Sequence, residues 1–115
     1  MSGIGDEEGS GSVAGVAVVA FASVLLCGVA VIGGAVAELE QLRGAADAGA
    51  LAAADAASGR IAGVPCELVA AVAQRLDAAV SRCTAAEAGV VEVVLTRPIL
   101  GIPIDAAARA GPPPQ

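Results

Sequence analysis

The sequence predicts an α+β fold carried on a single membrane-crossing helix, and three observations lead there. Residues 12–37 hold no charged side chain. The apolar period changes from helical to alternating at about residue 79. Cys66 and Cys83 are spaced so that a short helix followed by a returning strand brings them together.

Composition narrows the chemistry before any element is placed. The chain has 115 residues and a formal net charge of -6, with no His, Trp or Tyr, and every cation is an Arg. Phosphate binding needs a basic face and base stacking needs aromatic platforms, so nucleic acid is not an expected partner. General acid–base or nucleophilic catalysis would rest on isolated carboxylates and on thiols with no imidazole beside them. The sequence therefore predicts neither an enzyme nor a cofactor, a metal or a small-molecule substrate.

Residues 1–11 are Gly- and Ser-rich around Asp6, Glu7 and Glu8, which predicts a disordered leader. The run 12–37 that follows would be roughly 39 Å long as a helix, more than the ~30 Å of a bilayer core. Too little chain remains to wrap such a helix in a protein core, so lipid is its expected solvent. Within it Gly15 stands at GxxxG spacing from Gly11, and Gly28, Gly33 and Gly34 continue a set of small residues suited to close helix–helix packing. Cys27 reads as a small apolar filler. Ala35-Val36-Ala37 before Glu38 is an A-x-A site that a signal peptidase accepts, although no basic residue precedes the run.

From Glu38 the composition becomes charged and alanine-rich without a helix breaker, so the helix is expected to continue outside the membrane through residue 58. Leu39, Leu42, Ala46, Ala50 and Ala53 share one face, with Glu40, Arg43 and Asp47 opposite. The shallow face of Ala46, Ala50 and Ala53 is suited to close approach by a partner helix. Gly59 is the expected left-handed stop.

Residues 59–110 read as a small α+β domain. Pro65 fits the first position of a second helix, which carries Val69, Val72, Ala73, Leu76 and Val80 at helical spacing and ends near residues 77–79. Residues 90–97 alternate, Val91, Val93 and Leu95 against Glu92 and Thr96, and predict a strand ended by Pro98. Residues 79–84 are a weaker strand candidate that would complete a hairpin, and the alternation of Ile102, Ile104, Ala106 and Ala108 allows a third strand or a helical turn. Residues 111–115 form a Pro-rich extended tail.

The cysteines test this layout. One continuous helix from Cys66 to Cys83 would hold the sulfurs about 25 Å apart, beyond the ~7 Å Cα limit of a disulfide. About twelve helical residues advance roughly 18 Å and five or six extended ones return the distance, so helix-then-strand places Cys83 beside Cys66. Two unrelated buried thiols are the alternative. With no His or third thiol nearby, no zinc site is expected.

The ordered set Gly11-Ser12, the apolar helix, Arg43, the alanine-rich stretch 45–54, Cys66, Cys83, the strand 90–95 and the AAARAGP ending at 106–112 resembles the TadE/TadG-like pilus-assembly proteins. The likeness is to the small actinobacterial TadE-like proteins encoded near helicase and secretion genes. It implies a single-pass, pilin-like membrane protein, N-terminus cytoplasmic and C-terminal domain extracytoplasmic, that is a minor component of a Tad-type pilus or secretion apparatus. Other pilin-like or inner-membrane assembly proteins are then its partners, and a prepilin-type peptidase would cut between Gly11 and Ser12. The Glu usual at the fifth position after such a site is absent: Val16 stands there counted from Gly11, and Ala14 counted from Gly9. The rival expectations are a secreted disulfide-containing protein released by cleavage between Ala37 and Glu38, and a single-pass regulatory or binding subunit of another envelope complex.

Overall fold

A computed structural model describes residues 4–112. The described chain is α+β and divides into two compact units, Met1–Gly34 and Ala35–Gln115, which are taken in turn.

The first unit is helical. Helix α1 spans Ile4–Ala57, so it begins within the expected leader. Extending an existing helix costs far less than nucleating one, and the long apolar run supplies the nucleus for its glycine-rich approach. Residues 1–3 of that leader lie outside the described residues. From residue 10 to residue 34 every side chain of α1 is exposed, the large apolar ones included.

The second unit has its own core. Leu42, Ala45, Ala46, Ala50, Ala53 and Ala54 of α1 are buried in one cluster with Val69, Ala73, Val91, Val93, Leu95 and Ala106. Helix α1 ends as the sequence predicts. Gly59 takes φ 77°, and the amides of Gly59 and Arg60 donate to the carbonyls of Ala56 and Asp55, the paired bonds that close a helix on a left-handed residue. Helix α2, Pro65–Gln74, opens with Pro65 in its first turn. Its last α-helical residue falls short of the expected 77–79 because Asp77 adopts the left-handed conformation, φ 51°, and the Asp77 and Ala78 amides cap Gln74 and Ala73. Asp tolerates that conformation better than most residues do. The chain reverses there, and Val80 accordingly belongs to the next strand.

Strands β1 (Ala79–Ala85), β2 (Val91–Ile99) and β3 (Ile102–Ala110) form an antiparallel sheet in the order β1-β2-β3. The third strand settles the ambiguity of residues 102–108: paired against β2, the alanines are extended. Val91, Val93 and Leu95 are fully buried on the inner face, as their alternation predicts, each worth about 1.5–3 kcal/mol of transfer energy. Pro98 does not end β2. Ile99 and Ile102 flank the two-residue turn Leu100-Gly101, and Pro98 lies opposite Pro103. In an antiparallel ladder the pair next to the one that closes such a turn exchanges no hydrogen bonds, so neither missing amide is needed between β2 and β3. On its other side β2 is paired only as far as Thr96, opposite Ala79. Of the expected tail, 111–112 follow β3 without regular structure, and 113–115 lie outside the described residues.

Candidate membrane-spanning and packing sites

The candidate sites are an exposed apolar surface in one unit and a packed core in the other. In the first unit, the segment of α1 beginning at Ser10 is long and apolar enough to cross a membrane, with a mean hydropathy of 2.7 in its most apolar window and none of that window buried. Val16, Val19, Phe21, Leu26 and Val29 are each about two-thirds exposed or more, and they surround the helix rather than forming one stripe. A helix that is apolar all round belongs in lipid or inside a protein. Its one hydroxyl-bearing residue deep in the run, Ser23, donates from Oγ to the Val19 carbonyl at 2.7 Å, so that hydroxyl is paired within the helix.

Gly15, Gly28, Gly33 and Gly34 have no neighbour within 4 Å of where a Cβ would stand, so their close-packing potential is unused within the described chain. Ser12, Gly15, Val16, Val19 and Ala20 line a shallow open groove on the helix surface. Cys27 is exposed and unbonded.

Ala46, Ala50 and Ala53 are packing residues, but their occupant differs from the expected one. They are 0–1% exposed, covered by the chain's own α2 and sheet, and so offer no face to a partner helix. The helices approach closely there: at Gly49 a Cβ would sit 3.8 Å from Val69, so α2 lies near the backbone of α1. The opposite side of this segment is polar. Arg43 pairs with Glu40 at 2.9 Å and Arg60 with Asp55 at 3.5 Å, both exposed and each worth about 0–1 kcal/mol.

Cys66 and Cys83 form a disulfide with Cα atoms 5.9 Å apart. Their meeting depends on a feature that alternation alone does not reveal. Val80 pairs with buried Leu95 and Cys83 with buried Val93, although Cys83 lies three positions beyond Val80 and Val93 only two before Leu95; the register shifts between Val80 and Arg82. This bulge inserts one residue into β1, which returns Cys83 to the inner face where α2 lies. The serine-arginine pair at 81–82 between two apolar positions is the only trace of it in the sequence.

The sheet's outer face is polar. Thr96 donates to Asp105 at 2.6 Å, Glu92 stands opposite Arg109, and the Ser81 hydroxyl donates to the Val94 carbonyl at 3.2 Å. Open grooves lie there, one along Glu92, Ala107, Ala108 and Arg109 and another along Ser81, Arg82, Val94 and Asp105. Among the described residues no group of three or more His, Cys, Asp or Glu is placed to hold a metal ion.

The candidate cleavage positions both fall inside α1. Gly11 and Ser12 are exposed helical residues, and the bond from exposed Ala37 to half-buried Glu38 lies within the same helix, so hydrolysis of either in the folded chain requires local unwinding. No known family model, curated protein or solved structure matches the chain.

Proposed function

We propose that the chain is a single-pass, pilin-like structural protein, a minor component of a Tad-type pilus or secretion apparatus, with its N-terminus cytoplasmic and its small domain outside. One observation carries this reading. A continuous helix is apolar and uncovered through its first half, while its second half forms the spine of a small α+β domain. That division of labour suits a subunit held in lipid before assembly and in a helix bundle after it. Gly15, Gly28, Gly33 and Gly34 are then the positions at which another helix approaches, because Ala46, Ala50 and Ala53 are already occupied.

Purification of the tagged full chain from membranes in mild detergent tests the assignment. Recovery together with Tad-type inner-membrane or pilin-like subunits is expected, and substituting Gly28 and Gly33 by Leu is expected to reduce that recovery while leaving the domain folded. Recovery from membranes without any such subunit would contradict the pilus assignment.

A second reading has its own support. Residues from Ala35 onward form a self-contained unit with a disulfide, which fits a domain secreted after cleavage between Ala37 and Glu38.

A further inference from the structure

The β2–β3 hairpin ends in an apolar tip that its own domain leaves uncovered. Residues 98–104 (PILGIPI) contain no charged or hydrogen-bonding side chain, and Leu100 and Ile102 are 65% and 60% exposed. The turn also runs against ordinary turn chemistry. Leu100 and Gly101 both have positive φ, 53° and 75°, the pattern of a type I′ turn, whose first position favours Asn, Asp or Gly. A bulky apolar residue is therefore held in a strained conformation while most of its surface faces water.

Element lengths within the second unit point to which end of the domain this tip occupies. The Ser58 hydroxyl lies against Gly89, so β2 begins beside the C-terminal end of α1. Nine strand residues return about 30 Å, and α1 between residues 57 and 35 covers about 33 Å. The covered face of α1 continues back through fully buried Leu42 to half-buried Leu39, Glu38 and Ala35. Helix α2 meets α1 at Gly49 and extends only about 6–8 Å to either side of Val69, and β1 starts opposite Thr96. The hairpin is the element long enough to reach the Ala35 end. That is the end at which the apolar run enters the domain, with Glu38 as its first charged residue.

We propose that the tip formed by Leu100 and Ile102 docks into the interfacial layer of the bilayer that residues 12–37 cross, giving the domain a second membrane contact. The proposal rests on the membrane-spanning reading of that run. Half-exposed Arg97, just behind the tip, is placed for the phosphate of a lipid headgroup, the arrangement in which a long cationic side chain reaches the interface while apolar neighbours enter it. The contact would fix the orientation of the domain over the membrane and shield the strained turn from water.

The absence of Trp in the chain makes single-Trp reporters unambiguous. Three full-length variants, L100W, V64W and F21W, are reconstituted in vesicles of phosphatidylcholine and phosphatidylglycerol, with and without lipids brominated along the acyl chain. F21W is expected to be strongly quenched, L100W to be blue-shifted and quenched chiefly by bromine nearest the headgroup, and V64W, an exposed position before α2, to remain unquenched. Quenched F21W with water-exposed L100W overturns the docking and leaves the span intact. Unquenched F21W overturns the span and the docking with it. Equal quenching of L100W and V64W overturns the assignment of the tip as the contact.

Discussion

Replacing both Cys66 and Cys83 by Ala is expected to destabilise the domain by about 3 kcal/mol, the chain-entropy value for a closed loop of this size. The bridge joins α2 to β1 across a sequence separation of 17. Without it, α2 is held by Val69 and Ala73, two small buried side chains, by the half-buried Val72, and by Leu76 just beyond its end. For a domain of this length the loss corresponds to a fall in melting temperature of roughly 12–24 °C. Trypsin reads it directly, because Arg60, Arg75, Arg82 and Arg109 all lie in the domain and none of them precedes a proline. Pulse proteolysis of the detergent-solubilised full chain across a urea series should show the double variant cleaved at clearly lower urea than the parent. Coincident cleavage curves would show that the disulfide constrains nothing the fold lacks.

Leu95→Ala is the second large effect, with an expected loss of about 2–5 kcal/mol. Leu95 is fully buried in the central strand, paired with Val80 on one side and Ala106 on the other. Its neighbours in the cluster are mostly alanines and valines, which are too small and too stiff to collapse into the space left behind. The same urea-dependent proteolysis measures it, and Leu51→Ala serves as the comparison, since Leu51 is 60% exposed on α1. A Leu95 variant as stable as the Leu51 variant would contradict the placement of the core between α1 and β2.

Patterns that repeat are what the sequence made legible. The charge-free run is legible as one long apolar helix, and the alternation of Val91, Val93 and Leu95, the stop at Gly59 and the proline start at Pro65 each follow from a local rule and stand where that rule puts them. The disulfide was legible for a different reason: helix rise and strand rise are fixed lengths, so two cysteines on a helix and its return strand are a distance test.

The features that escaped are those where a partner in space changes the outcome. Pro98 reads as a terminator until Pro103 stands across from it in a pair that needs no amide. Residues 102–108 are ambiguous in isolation because alanine supports helix or strand, and β2 decides between them. The face of Ala46, Ala50 and Ala53 was legible as a packing surface, but sequence spacing does not say whose surface covers it, and the answer is the chain's own sheet and α2. The bulge between Val80 and Arg82 and the turn at Leu100 were hidden because each departs from the residues its geometry prefers.

The central claim is that residues 12–37 remain part of the working protein as a membrane-crossing helix. Intact mass of the native chain, taken separately from alkali-washed membranes and from the soluble fraction, tests it most directly. The account predicts a membrane-retained species that includes 12–37, two mass units lighter than the fully reduced sequence because Cys66 and Cys83 are joined and Cys27 is free. A soluble species beginning at Glu38 would contradict it.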